Sequence, residues 1–384
     1  MLTPWLSRGF GLAEVVNALS RELGSLGIPV IVGVMDEDRT FSDVDARQVP
    51  ADAAAITRLA AKVGATVVVA HGSPYLEILP DLPLGTIAYE HGDPTPEMFG
   101  DDAAERRRMV NRKQTAVYPR VDAVVAISEF IRHDIDWPSA TVITNGVDHI
   151  PDQGRKTLVP PRPADKPLRV GTLMRLGPGE VRYKGNDLLP LIREQAQVRL
   201  ASFEVMGSGT ETDAAALRSA GFVVHLNTTD EQRLAFLRGI DVFVTASRWE
   251  GCNLPLLEAQ SLGTPGLAFD TGAHPEFTPF VFSSVALMAH QLAAYGLDPG
   301  GLLRDHGDAA YEFVRSRFTW EAAALRLVTL INRVDPGTAP ARIPLSSRAR
   351  VMSRRTRNSV SEHGAVETAK RAIRRFVPKT PPPH

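Results

Sequence analysis

The chain has 384 residues, 43% of them hydrophobic and 23% charged, with a single cysteine, Cys252. This composition excludes collagen-like, bulk-disordered and disulfide-stapled proteins, and one cysteine builds neither an internal disulfide nor a cysteine zinc site. The net charge of −1 conceals a split: residues 342–384 hold 11 Lys/Arg against 2 Asp/Glu, a net of +9, and the remainder stands at −10. An acidic body with a basic tail predicts an anionic partner for the tail. The length suits two or three domains. No apolar run reaches the roughly 18–20 residues of a membrane span. The N-terminus lacks the basic-then-apolar pattern of a secretory signal, so the expected address is the cytosol.

In chain order, Leu12, Val15, Val16, Leu19, Leu23 and Leu26 recur at helical spacing, and Gly27 follows as a helix stop. A strand over 30–34, a helix over 51–62 and strands over 66–70 and 85–89 come next. A helix over 101–117, a strand over 121–127, a helix from Ser128 and a strand over 141–144 complete this half. Alternating strands and helices predict a parallel sheet covered on both faces. Only three residues precede Pro4, so the opening strand is either stunted or incomplete in the sequence as given. Pro151, Pro160, Pro161, Pro163 and Pro167 then interrupt the pattern, as an interdomain linker does.

The alternation restarts with strands over 168–173, 203–206, 222–226, 241–245 and 266–269. Helices near 186–195, 211–219, 230–238 and 254–262 lie between them, and helices near 283–295, 303–316 and 319–333 follow. The expected organisation is a Rossmann-like half over 1–150, a linker over 151–167 and a second Rossmann-like half over 168–318. A helix over 319–334 crosses back, and a basic tail occupies 335–384. In 366–377, Val366, Ala369, Ile373, Phe376 and Val377 share one helical face while Lys370, Arg371, Arg374 and Arg375 surround it. Such a helix suits an anionic membrane surface; a disordered solvating tail is the alternative. Nucleic acid is not expected, because no aromatic residue interleaves with the arginines before Phe376.

The strongest chemical signal is the run Ser247-Arg248-Trp249-Glu250-Gly251-Cys252-Asn253-Leu254-Pro255-Leu256-Leu257-Glu258-Ala259. It follows an apolar strand. Asn253 is a good N-cap and Pro255 fits the first turn of a helix, where its missing N–H costs nothing. The N–H groups of that turn and the positive dipole end offer an anion site at the C-terminal edge of the sheet. Glu250 and Glu258 nearby suit a ligand with hydroxyls as well as phosphates, although a first-turn glutamate can simply complement the dipole.

Glu250 followed after seven residues by Glu258 resembles the paired-glutamate signature of the family-four retaining glycosyltransferases, which have the GT-B fold. Val170-Gly171-Thr172-Leu173-Met174-Arg175 with Lys184-Gly185 resembles the opening of that family's second half, where an arginine and a lysine hold the donor pyrophosphate. Thr144-Asn145-Gly146-Val147-Asp148, Val205-Met206-Gly207-Ser208-Gly209 and Thr271-Gly272-Ala273-His274-Pro275-Glu276 resemble further family positions in the same order. The resemblance implies that Glu250 contacts the donor sugar, that Glu258 contacts the nucleotide ribose and that the backbone at Asn253-Leu254 meets phosphate or sugar. Asn253 and Ala273 stand where the family usually has glycine, which alters the donor sugar's pocket.

Arg175 and Lys184 make chemical sense independently, since fixed cations stabilise the charge that grows on a departing pyrophosphate. Gly9 and Gly11, in Arg8-Gly9-Phe10-Gly11, resemble the family's donor-facing loop and otherwise form an ordinary strand-to-helix turn. His91, in Tyr89-Glu90-His91-Gly92-Asp93-Pro94, resembles a family histidine near the donor sugar and can bond a hydroxyl or move a proton. His71, also after a strand, is a weaker candidate. A dinucleotide fingerprint fails because Glu14 occupies the third glycine position. Asp36-Glu37-Asp38 loosely suggests a metal site of a different fold, but no essential metal or cofactor is expected beyond a UDP- or GDP-linked sugar substrate.

The expectation is therefore a metal-independent hexosyltransferase acting on a glycan or lipid-linked acceptor, cytoplasmic and peripheral to the inner membrane face. The alternatives are a sugar-nucleotide epimerase or hydrolase of the same fold, and a catalytically degenerate scaffold.

Overall fold

The structure is a computed structural model and describes residues 1–7, 9, 11–35, 41, 43–151, 166–177, 180–198 and 201–334. The basic tail with its amphipathic segment, most of the proline-rich break, Asp36-Glu37-Asp38, and Arg8 and Phe10 lie outside the described residues.

The first half contains strands β1 (Leu2–Thr3), β2 (Val32–Val34), β3 (Ala46–Gln48), β4 (Val67–Ala70), β5 (Gly85–Glu90), β6 (Ala123–Ala126) and β7 (Thr141–Val142). They form one sheet in the order β3-β2-β1-β4-β5-β6-β7, with parallel pairings throughout. Helices α1 (Gly11–Ser25), α2 (Ala53–Val63), α3 (Tyr75–Ile78), α4 (Ala103–Arg112) and α5 (Glu129–Asp134) connect them. Val15, Val16, Leu19 and Leu23 of the α1 stripe are buried, as their spacing predicts, while Leu12 is half-buried, and Ser128 caps α5 by accepting from the Ile131 N–H.

The second half contains β8 (Leu168–Leu173), β9 (Ala201–Gly207), β10 (Val223–Leu226), β11 (Val242–Thr245), β12 (Gly266–Phe269) and β13 (Val281–Phe282), in the order β10-β9-β8-β11-β12-β13. Its helices are α6 (Val181–Lys184), α7 (Leu188–Ala196), α8 (Glu211–Ser219), α9 (Asp230–Gly239), α10 (Leu254–Ser261), α11 (His274–Phe277), α12 (Val285–Leu297) and α13 (Leu302–Arg317). All four residues of β11 and of β12 are buried, which is why these strands read as unbroken apolar runs rather than alternating ones. Thr210 and Thr229 start α8 and α9 with capping boxes completed by Asp213 and Gln232.

In each sheet the winding direction reverses beside the first strand, between β1 and β4 and between β8 and β11. Crevices open at such switch points at the C-terminal ends of the strands. The loops after β1, β5, β8 and β11 are those singled out in the sequence.

The opening strand is as short as the sequence shows, and two features differ from the sequence reading. That strand is a two-residue stub at the centre of its sheet; Gly33 N–H donates to the Met1 carbonyl (2.8 Å) and His71 N–H to the Leu2 carbonyl (2.9 Å). The helix expected over 101–117 is three pieces: a 3-10 turn over Pro96–Asp102 with Gly100 at φ 58°, then α4, then a π turn over Lys113–Val117. The wider π turn brings Lys113 into the interior, which a regular 3.6-residue repeat does not indicate. Finally, β3, β13, α3, α6 and α11 went unpredicted, all too short to show a period.

Helix α14 (Trp320–Val334) returns to pack on α1 and β5 of the first half. Gly146 makes the turn beneath it possible, because a Cβ there would lie 2.2 Å from the Trp320 nitrogen. Asp148 then caps the helix, accepting from the Trp320 N–H at 2.8 Å.

Candidate functional site

A cavity of about 930 Å³ lies between the two halves and is lined by both. Of the residues proposed from sequence, Gly9, Gly11, His91, Arg175, Lys184, Glu250, Asn253 and Leu254 line it, and Glu258 does not.

The second-half wall is built on strand ends. Lys184, at the end of α6, donates from Nζ to Glu250 Oε1 at 2.6 Å. The same oxygen accepts from Ser247 Oγ (2.9 Å) and, more distantly, Asn253 Nδ2 (3.5 Å). Burial works to raise the Glu250 pKa, but the Lys184 ammonium, with His274 and Ser247, outweighs it and holds the carboxyl below its usual range. Gly272 is required here: at φ 58°, a Cβ on it would sit 2.6 Å from the Glu250 carbonyl oxygen. Ala273 fits at the next position, with φ −86° and its N–H donating to the Glu250 carbonyl at 2.8 Å.

Asn253 caps α10 through its side chain, accepting from the Leu256 N–H at 3.1 Å, and its amide donates to Thr245 Oγ1 at 3.1 Å. With that donor used and Pro255 lacking one, Leu254 supplies the remaining first-turn N–H. The anion site expected at this helix is therefore narrower than the sequence alone suggests.

Arg175 follows β8. Its guanidinium donates to the Tyr183 hydroxyl at 2.9 Å and pairs with Glu180 at 3.1 Å, and the Tyr183 hydroxyl in turn donates to Glu180. Both predicted phosphate-binding cations thus already face a carboxylate, Arg175 with Glu180 and Lys184 with Glu250. Tyr183 and Glu180 escaped the sequence reading because neither stands in a recognisable motif.

Glu258 is 2% exposed. One oxygen accepts from His149 Nε2 at 2.9 Å and the other pairs with Arg233 of α9. The Trp320 indole N–H donates to His149 Nδ1 at 3.0 Å, which leaves the imidazole proton on Nε2, directed at Glu258. Burial raises the Glu258 pKa, yet Arg233 and His149 reverse this and keep it low. Arg233 itself reaches the cavity wall. These partners lie 25, 109 and 171 residues apart in their pairs, so no local signal announces them.

On the first-half wall His91 Nε2 lies 3.2 Å from His71 Nδ1, and both rings stack beside Tyr89. Burial, then Lys113, lowers the His91 pKa to about 4; burial, then His91, drives His71 well below its ordinary value. Both are neutral near neutral pH. The halves touch directly here. Gly92 (φ 82°) packs against Ile131 and Trp249, and a Cβ on Gly251 would approach the His91 carbonyl oxygen to 2.5 Å. Glu276 reaches across to the start of α5, accepting from the Glu129 N–H (2.9 Å) and the Phe130 N–H (2.7 Å).

Among the described residues no three His, Cys, Asp or Glu side chains gather in a way that could hold a metal ion. No described helix is long and apolar enough to cross a membrane.

Two family models match the chain: glycosyltransferase family 4 over residues 11–149 and glycosyl transferases group 1 over residues 169–292. Together they cover well over half of it. No curated protein matches the sequence. Among solved structures, sucrose-phosphate synthase from Thermosynechococcus elongatus is similar at 18% identity and a TM-score of 0.68, covering 86% of this chain and 94% of that one. The Anabaena protein HepE, in complex with UDP and glucose, is similar at 13% identity and a TM-score of 0.67, covering 86% and 98%. TarM from S. aureus, in complex with fondaparinux, α-GlcNAc-glycerol and UDP, is similar at 17% identity and a TM-score of 0.54, covering 72% and 58%. The architecture common to these is GT-B.

Proposed function

The chain belongs to the group 1, family-four glycosyltransferases, and from that premise we propose that it is a retaining hexosyltransferase using a UDP- or GDP-linked sugar and no metal ion. The observation that carries this reading is the convergence of Glu250, Lys184, Arg175 and the start of α10 on one cleft walled by both halves. HepE was solved with UDP and glucose, which favours a uridine nucleotide.

In this reading the pyrophosphate lies against Arg175, Lys184 and the Leu254 N–H. As the bond from the sugar C1 to the phosphate oxygen breaks, these groups stabilise the developing charge. The acceptor hydroxyl forms the new bond to C1 on the face the nucleotide leaves, and its proton passes to a phosphate oxygen. Glu250 orients the sugar by accepting from its hydroxyls. Its Oε1 is held by three donors and Oε2 by none of those three, an arrangement suited to a fixed acceptor. A ribose contact from Glu258 requires Arg233 or His149 to yield. His91 faces the donor sugar, and closure of the cleft excludes water.

The acceptor enters from the first half and is a glycan or a lipid-linked carrier. The tail over 342–377 holds the enzyme on an anionic membrane surface; equal vesicle binding by chains with and without residues 342–384 overturns that. A thermal-shift panel of UDP-, GDP- and dTDP-sugars tests the donor, because a ligand at 100 times its Kd stabilises by about 2.7 kcal/mol. NMR of the product from one active donor tests stereochemistry: an inverted anomer defeats the retaining mechanism, and free sugar without transfer points to a hydrolase.

A further inference from the structure

Among the described residues, the cleft's first-half wall presents a cation with no carboxylate partner. Helix α4 contains four arginines and buries no residue, so it contributes little to the core. Arg107 pairs with Glu97, and Arg108 and Arg112 are exposed. Arg106 differs from all three: it is half-buried, its guanidinium carbon lies 3.5 Å above the centre of the Phe99 ring, and it lines the cavity. Among the described residues it forms no ion pair, although Asp102 lines the same wall.

The aromatic support continues across the cleft. Phe99 meets the Tyr183 ring at 5.9 Å, and Tyr183 carries Arg175 on its hydroxyl. The pair Phe99–Tyr183 thus stands between two guanidinium groups, one from each half. Arg175 is matched by Glu180, whereas Arg106 is not matched. A guanidinium flat on an aromatic face keeps its N–H edge free for a planar, two-point anion contact.

We propose that Arg106 binds an anionic group of the acceptor, a phosphate ester carried either by a soluble molecule or by a lipid headgroup. This deepens the transferase reading and rests on it for the placing of donor and acceptor on opposite walls. A neutral acceptor gains nothing from this cation, so the site selects phosphorylated acceptors over their unphosphorylated forms.

The test uses the full chain, wild type and the variants Arg106→Gln and Arg106→Lys. UDP is titrated first, and all three proteins are expected to bind it alike, which also confirms folding. With UDP saturating, glycerol 1-phosphate, glycerol and vesicles of phosphatidylglycerol are titrated in turn. The expected result is binding of glycerol 1-phosphate but not glycerol, weakened at least tenfold by Arg106→Gln and by a smaller factor in Arg106→Lys, which keeps the charge but loses the two-point contact. Binding confined to the vesicles, with the same dependence on Arg106, supports the proposal with a lipid-borne phosphate. If neither phosphate probe distinguishes wild type from Arg106→Gln, the proposal is overturned. If UDP binds none of the three, the donor reading falls instead, and the phosphate titrations on nucleotide-free protein still decide the role of Arg106.

Discussion

The two walls of the cleft solve different electrostatic problems. On the second-half side each predicted cation faces a carboxylate, Lys184 at the end of α6 with Glu250, and Arg175 after β8 with Glu180. On the first-half side the prominent titratable groups, His71 and His91, are held neutral by burial, and the cation Arg106 rests on a ring. On the second-half wall both predicted cations are balanced by carboxylates; on the first-half wall neutral imidazoles and Arg106 stand beside one further ion pair, Asp93 with the buried Lys113. On the proposed reading, the second half meets the donor diphosphate and the first half meets the acceptor.

The contrast can be broken most directly at Lys184. Lys184→Ala strips the nearest cation from a buried carboxylate, and loss of one partner from such a pair costs about 3 kcal/mol or more. Urea unfolding is expected to show that loss, with partial recovery in Lys184→Ala combined with Glu250→Gln. A single variant as stable as wild type denies that the pair is structurally coupled. Arg175→Ala comes next, with kcat expected to fall about 100-fold, equivalent to about 2.7 kcal/mol; unchanged turnover removes Arg175 from the site.

The first-half wall is tested by acid. An imidazole whose folded pKa lies below its unfolded value leaves the unfolded chain holding more protons, so stability falls as pH falls from 6.5 towards the folded value, about 4 for His91. Each such histidine contributes a slope of up to about 1.4 kcal/mol per pH unit. Asp134, raised to about 6 chiefly by burial and then by Asp93, opposes part of this trend. Unfolding at pH 7, 6 and 5 is expected to show declining stability, less steep in His91→Asn; identical slopes in the two proteins contradict a buried neutral His91.

The smallest expected effect sharpens the comparison from the other side. Glu180→Gln removes the carboxylate that balances Arg175, and UDP is expected to bind more tightly by a few-fold, up to about tenfold. Calorimetry giving weaker binding shows that Glu180 positions Arg175 rather than merely competing for it.

Both sheets and the strands flanking the cleft were legible because burial on both faces leaves continuous apolar runs, as in Val67–Ala70 and Val242–Thr245. The loop residues were legible because they follow those runs directly; Glu250, Arg175 and His91 each stand within a few residues of a strand end. The pairings were not legible. Arg233 with Glu258, His149 with Trp320, and Arg106 on Phe99 depend on turns and on chain crossings that no local periodicity encodes. The break at Gly100 and the π turn at Lys113 belong to the same class, since each departs from the regular repeat on which such reading depends.

The Glu276 carboxylate, clasping two amide hydrogens at the start of α5, has a mechanical consequence. Any rotation that parts the two lobes along this edge breaks both of these hydrogen bonds. The same loop binds the Glu250 carbonyl through the Ala273 N–H, so one short segment ties the Glu250 backbone to the first half.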